Sequence, residues 1–358
     1  MPGRLALPDE SKALPLQPAR LRARHVVPAV AFLLVAATAS LVTGPAGLSP
    51  LGVVEEVASK LPLLHVHSPL GPTGSVVVWQ LRMPEMVLGL LVGAVLAVSG
   101  ASYQGVFLNP LADPYLLGVA SGAGLGATLA IVSGAGTGSA TSTVPPAAFA
   151  GAVVAVGATF ALSRSRHGRS AASLLLAGIA VAAFFTAVQT FLMQEHSSIE
   201  LQAIYTWLLG GLSTAGWSQV LLVLPYIAAS SAVLLCARRL LDTMSVGDEE
   251  AMALGLSVRH ARLVVIGAAT LGTAAAVSVS GLIGFVGIIV PHAIRLLAGP
   301  SYRRLVPLSL LYGGGFLVLA DVVARTALSP QEVPLGVVTA FLGAPFFLVV
   351  LRQSRKLT

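Results

Sequence analysis

The chain has 358 residues, 56% of them hydrophobic and only 10% charged, with a formal net charge of +7. Its mean hydropathy is +0.88; a soluble domain carries about 25% charged residues, so a soluble globular protein is excluded. The single cysteine, Cys236, rules out disulfides within the chain and any cysteine-cluster metal site, and reads as a small apolar residue.

Residues 1–24 are polar and basic, with Pro2, Pro8, Pro15 and Pro18, and are predicted to form a disordered cytoplasmic tail. They lack a cleavage pattern, and the first apolar run continues as an anchor, so residues 25–358 form one transmembrane domain. Apolar segments of bilayer-spanning length then recur. They predict an all-α integral membrane protein with ten spans at 26–43, 86–107, 115–133, 145–163, 171–193, 218–236, 261–280, 284–297, 305–327 and 335–351. The nearly uncharged run from Ala261 to Gly299 is 39 residues long. As one helix it would be about twice the bilayer thickness, so it must fold back, with Gly281 and Gly284 as the hinge. Residues 201–212 are too short to span and are expected along the outer interface, anchored by Tyr205 and Trp207.

Between the second and third spans the sequence reads NPLADPYLLGVASGAGLGA from Asn109 to Ala127. Pro110 and Pro114 break regular helix, and Asn109 and Asp113 are turn-formers that bond nearby backbone. Gly118, Gly122, Gly124 and Gly126 then let one membrane helix lie close against another. Lying inside an apolar span with no preceding strand, they cannot form a nucleotide loop. A faint repeat at an offset of 181 pairs Val98-Ser99-Gly100 with Val279-Ser280-Gly281, Pro110 with Pro291, and Gly118 with Gly299. As a true duplication it would be inverted, an arrangement common in transporters.

Basic residues set the orientation. Arg20, Arg22, Arg24, Arg164, Arg166, Arg169, Arg238, Arg239, Arg259, Arg262, Arg303, Arg304, Arg352, Arg355 and Lys356 share one side if both termini are cytoplasmic. Lys60, Arg82 and Arg325 fall on the other, a strong positive-inside asymmetry. The pI near 10.1 therefore reports membrane topology, and no nucleic-acid partner is expected.

Of the three lysines, Lys12, Lys60 and Lys356, none follows a glycine, so no phosphate-cradling GxxxxGK[ST] loop exists. A pump built on this chain needs a separate ATPase. In the inner loop, Asp248, Glu249 and Glu250 open a short helix at its favourable end for acids. Ala251, Met252 and Leu254 give it an apolar face, and Gly255 stops it. Such a helix is either a solvated connection or a docking element for a cytoplasmic partner.

The stretches LRMPEMVLGLLVGAVLAVSGASYQGVFLNPLADPYLLGVASGAGLGA (81–127), LLLAG (174–178), SGLIGFVGIIVPHAIRLLAGPSYRRLVPLSLL (280–311) and LADVVARTALSPQEVPLGVVTAFLGAPFFLVVLR (319–352) resemble the FecCD-type permease family. These permeases serve ABC importers for ferric siderophores, haem and cobalamin in the bacterial cytoplasmic (inner) membrane. The resemblance implies the type II importer fold, two permease subunits (here a homodimer), a cytoplasmic ATPase dimer and an extracytoplasmic binding protein. It assigns Asp248, Glu249, Glu250, Met252, Leu254 and Gly255 to coupling with the ATPase. It also assigns Ser170, Ala171, Ala172 and Ser173 to a cytoplasmic gate. Arg82 and Arg325 match arginines that receive acids of the binding protein. The family pattern R-x-P-R reads here Arg82-Met83-Pro84-Glu85, so Glu85 has the opposite sign at a docking position. That departure leaves one docking salt bridge in doubt or calls for a basic residue on the partner. Asp321 and Arg325 also have the spacing to pair with each other.

Other polar residues carry less. His65 and His67 lack the further ligands of a metal site. His292 is expected to cap or pack, and Tyr103, Gln104 and Gln189 either line a pathway or join helices. An ion-driven transporter would need a mid-span carboxylate relay, which is absent. An intramembrane enzyme would need a nucleophile–base or metal constellation inside a span. The reading is therefore a non-enzymatic, cofactor-free permease subunit in contact with membrane lipid. It moves iron–siderophore complexes inward by alternating access, with cobalamin and then haem as alternative cargo.

Overall fold

The structure, a computed structural model, describes residues 20–44, 47–60, 68–135, 143–163 and 171–354. Most of the predicted tail, together with His65, His67 and Ser170, lies outside the described residues. Helix α1 (Ala23–Val42) is followed by α2 (Pro50–Ser59), which starts where Ser49 Oγ accepts the Gly52 N–H at 3.1 Å with Pro50 in the first turn. Helix α3 (Pro72–Val76) runs through a widened π-helical turn (Val77–Arg82) into α4 (Met83–Val106). The wide turn falls directly before Pro84, whose missing N–H cannot bond back along the helix.

The Asn109–Leu117 turn forms as its residues predict. Asn109 Oδ1 accepts the Leu111 N–H at 2.9 Å, and Asp113 Oδ1 accepts the Tyr115 N–H at 2.8 Å. Gly118, at φ +84°, opens α5 (Val119–Ala130). Helix α5 lies so close to α6 (Val144–Leu162) that a Cβ on Gly122 would stand 2.3 Å from the Gly151 carbonyl oxygen. The glycines of this run therefore serve packing, as expected.

Helices α7 (Ala171–Gln194), α8 (Ser198–Leu209) and α9 (Trp217–Met244) follow. A reciprocal Ser197–Glu200 capping box starts α8. The remaining helices are α10 (Asp248–Ala253), α11 (Val258–Ser280), α12 (Val286–Ala298), α13 (Tyr302–Thr326) and α14 (Leu335–Ser354). Among the described residues, seven helices are long and apolar enough to cross a membrane. Three shorter apolar helices, Val119–Gly134, Val286–Ala298 and Leu335–Val349, stand where the third, eighth and tenth spans were predicted.

Helix α4 is the hub. Of its most apolar window 78% is buried, against 22% in α7 and 17% in α1, so the last two form the periphery. Its core residues Val92, Val95, Leu96 and Val98 pack among α9, α11, α12 and α13. A Cβ on Gly100 would lie 2.0 Å from the Gly287 carbonyl oxygen, which brings α12 into backbone contact with α4.

The fold-back falls where the long apolar run requires it. Helix α11 ends at Gly281 (φ +65°), and α12 starts after Phe285 (φ +68°). The irregular backbone between them is satisfied inside the protein, as membrane depth demands. Tyr115 Oη donates to the Ile283 carbonyl at 3.0 Å and accepts the Ile283 N–H at 3.1 Å. The Gly211 N–H donates to the Ser280 carbonyl at 2.9 Å, and the Leu335 N–H to the Gly210 carbonyl at 3.0 Å. The end of α8 and the start of α14 are thereby tied to the break.

Several expectations need correction. The connection between the first two predicted spans, residues 44–85, is shorter than those spans imply, because α3 and the π-turn carry the second span back to Pro72. The inner loop from Arg238 is shorter too. Ala237, Leu241 and Met244 continue a buried stripe at helical spacing, so α9 runs on past Arg238 and Arg239. Of the two expected anchors, Tyr205 is 57% exposed, but Trp207 packs partly against the main core. The offset-181 pairs occupy unlike local structure. Gly100 lies inside α4 while Gly281 ends α11, and Pro110 sits in a turn while Pro291 is inside α12.

Candidate coupling, gate and docking sites

Helix α10 is a short bracket between α9 and α11. Ala251, fully buried, faces inward, while Met252 (56% exposed) and Leu254 (73% exposed) point out beside the exposed Glu249 and Glu250. Gly255, at φ +83°, ends it: its N–H bonds the Met252 carbonyl, and the Leu256 N–H bonds the Ala251 carbonyl. Asp248, with its side chain 45% exposed, turns toward α11. Both its oxygens accept from Arg262 Nη2, at 2.9 and 3.0 Å, which clamps α10 to α11. Of the six predicted coupling residues, Asp248 is therefore engaged within the chain. The other five form an exposed acidic and apolar tip.

Asp242, which sequence reasoning passed over, holds the next junction. Its carboxylate accepts the Tyr302 N–H at 2.6 Å and Ser301 Oγ–H at 3.0 Å, with Arg303 Nε at 3.3 Å. An anion there caps the first turn of α13 and ties it to α9. The signal was present: an acid in the last turn of one inner helix, and a Ser-Tyr-Arg start to another.

Of the predicted docking residues, Arg82 and Arg325 are buried and Glu85 is largely covered. Arg82 is 4% exposed, and its Nη1 donates to the Leu41 and Val42 carbonyls at 2.6 and 3.3 Å, capping the end of α1. Arg325 is 7% exposed; its Nε donates to Asp321 Oδ2 at 2.8 Å and lies 3.6 Å from Glu85 Oε1. Its Nη2 donates to Ser40 Oγ at 3.0 Å. Glu85 thus has its compensating cation within its own chain. The i,i+4 pairing of Asp321 with Arg325 is present, and these guanidiniums face inward, joining α1, α4 and α13.

The span polars join helices. Tyr103 Oη shares a 2.7 Å hydrogen bond with Thr270 Oγ1, Gln104 Nε2 donates to the Gly287 carbonyl at 3.0 Å, and Gln189 Nε2 donates to Thr128 Oγ1 at 3.1 Å. All three are buried within the chain. The His292 ring packs edge-on against Phe346 with centroids 5.8 Å apart. Of the predicted gate, Ala171 begins α7, Ala172 is exposed and Ser173 is half-buried. Farther along α7, Leu176, Ile179, Phe184 and Phe191 are each more than 60% exposed. Among the described residues no three His, Cys, Asp or Glu side chains gather as metal ligands.

The sequence profile of the FecCD transport family matches residues 32–353. This chain belongs to the FecCD transport family. A cobalamin import system permease protein of Halobacterium salinarum is 45% identical over 281 residues, 78% of this chain and 74% of the relative. A hemin transport system permease of Yersinia pestis is 40% identical over 290 residues, 78% and 84% of the two chains. A probable iron chelatin permease of Helicobacter pylori is 38% identical over 281 residues, 78% and 84%. Among solved structures, an inward-facing ABC transporter described as of metal-chelate type superposes with a TM-score of 0.80 at 30% identity. It covers 93% of this chain and 100% of its own. This FecCD protein is thus a multi-pass permease subunit of an ABC importer in the cytoplasmic membrane, with the all-α type II importer fold. As a permease it carries substrate and performs no chemistry on it.

Proposed function

We propose that the chain forms a homodimeric permease that moves a bulky metal chelate inward by alternating access. A cytoplasmic ATPase dimer drives it, and an extracytoplasmic binding protein feeds it. One observation carries this reading: α10 presents Met252 and Leu254 to solvent while Ala251 and the Asp248–Arg262 clamp fix it to the bundle. Exposed apolar side chains on a rigid, otherwise polar loop suit a partner's cleft. The ten-span count with both termini cytoplasmic accords with the basic residues of this end. The second copy is assigned to the exposed face of α7, next to Ala172 and Ser173. Cysteines at Ala172 and Ser173, with Cys236 changed to Ser, should cross-link between subunits near the cytoplasmic face. External labelling of both in the resting state, with no cross-link, would remove the gate assignment.

For the cargo, ferric siderophore comes first, with cobalamin and then haem as alternatives, the last supported by the 40% identity to a permease named for hemin transport. A siderophore agrees with the relative named for iron chelatin, and cobalamin is supported by the 45% identity to a permease named for cobalamin import. Absorbance and mass spectrometry of the ligand carried by the co-purified binding protein decide among the three. A ligand that is not a metal chelate would sink all of them.

A further inference from the structure

At the basic end of the bundle, three nitrogens are buried without a hydrogen-bond partner: His25 Nδ1, Arg295 Nη1 and Arg304 Nε. They come from the first turn of α1, the last turn of α12 and the first turn of α13. The groups are neighbours. Arg24, Arg304 and Arg22 all lie within electrostatic reach of His25. Arg304 Nη1 is 3.9 Å from where a Cβ on Gly299, the cap of α12, would stand. Arg295 lies against the Tyr302 side chain.

The carboxylate fixed at this junction, Asp242, is already committed to Tyr302 N–H, Ser301 and Arg303. Arg82 and Arg262 also keep a free nitrogen, but each has an acid beside it, Glu85 and Asp248 respectively. His25, Arg295 and Arg304 make no ion pair among the described residues. The C-terminal end of α12 favours nearby cations but does not satisfy these donors. The Arg295 and Arg304 guanidiniums are always charged, so their shielded N–H groups without an acceptor are costly, and an anion is the group that would complete them. The imidazole of His25, held toward its neutral form by burial and the arginines around it, lines the same place.

We propose that this cluster holds the phosphate of an anionic phospholipid, seated between the first turn of α1 and the α12–α13 junction. The surroundings favour a lipid over a free anion. Leu296 and Leu297 are 70% and 76% exposed beside Arg295, and Val27 and Leu34 are 64% and 58% exposed along α1. Leu296 and Leu297 flank the cluster at the end of α12, and the exposed face of α1 runs away from it, where an acyl chain would lie. Basic pockets between membrane helices are a recurrent headgroup site.

The test uses the full-length chain in phosphatidylcholine mixed micelles, titrated with phosphatidylglycerol. Native mass spectrometry should retain phosphatidylglycerol on the chain at collision energies that strip phosphatidylcholine, and the same lipid should raise the unfolding temperature. Arg295→Gln with Arg304→Gln should weaken retention by about tenfold per arginine and abolish the temperature shift. Arg259→Gln, an exposed arginine elsewhere on this end, should change neither. Equal retention of the two lipids by the wild-type chain overturns the proposal without any variant. So does an unchanged shift in the double variant. The same shift from an equal concentration of inorganic phosphate would replace the lipid with a free anion.

Discussion

Arg325→Ala separates a buried structural arginine from an exposed docking one. The substitution removes the cation that both Asp321 and Glu85 face, at 2.8 and 3.6 Å from Nε. Those two carboxylate side chains are only 5% and 12% exposed, so water cannot replace the guanidinium. Removing one partner of a buried pair costs about 3–5 kcal/mol, because an uncompensated charge stays behind. Loss of the Ser40 hydrogen bond adds about 1 kcal/mol. An exposed arginine that waits for a partner would cost under about 1 kcal/mol. Equilibrium unfolding of the purified chain in mixed detergent should therefore show a loss of at least about 3 kcal/mol. Arg325→Met combined with Asp321→Asn and Glu85→Gln should recover most of it, since the buried charges then leave together. Binding-protein capture, measured in parallel, checks the docking role. Arg325→Ala with near wild-type stability and weakened capture would refute the reasoning and return this residue to the outer surface.

Gly122→Leu should lower the folded yield and stability by at least about 2 kcal/mol, since its Cβ would stand 2.3 Å from the Gly151 carbonyl oxygen. Gly157→Leu, with nothing within 4 Å, is the matched control in thermal unfolding. Met252→Glu with Leu254→Glu should abolish ATP-driven transport while membrane insertion survives; wild-type transport would show that α10 seats nowhere. Asp248→Arg or Arg262→Asp alone should lower transport per ATP hydrolysed, and the double swap should restore it; no rescue would mean the clamp is incidental. Glu56 in α2 is held below its ordinary value of 4.5 by hydrogen bonds from Ser68 and Ser75, with Trp79 adding to them. Its contribution is therefore present above that value and lost as pH falls through the lower, folded one. Acid unfolding of the α2 region, followed by Trp79 fluorescence, should lose that dependence in Glu56→Gln.

What the sequence made legible was set by local chemistry. The Asn109–Pro114 turn announced itself because its side chains bond backbone two residues away, a partner within the same short string. The Gly281 break followed from length alone, since 39 nearly uncharged residues cannot form one straight span. The coupling role of α10 comes from the resemblance to the family; the structure gives the exposed Met252 and Leu254 on which the proposal rests. Partner choice across the fold was not legible. A charge beside an apolar run reads as the end of a span, and together with the family pattern that rule put Arg82, Glu85 and Arg325 on the outer surface. Here the end of α1, more than 40 residues from Arg82 and more than 280 from Arg325, supplies carbonyls and a hydroxyl that let both guanidiniums turn inward. The same distance hid the meaning of Glu85. Against the family pattern it has the wrong sign for docking; against Arg325 it has the right sign for a buried pair. An acid at this position, with Asp321, balances two buried arginines charge for charge. Restoring the family arginine by Glu85→Arg should therefore place three cations around one carboxylate and destabilise the chain, whatever it does for docking.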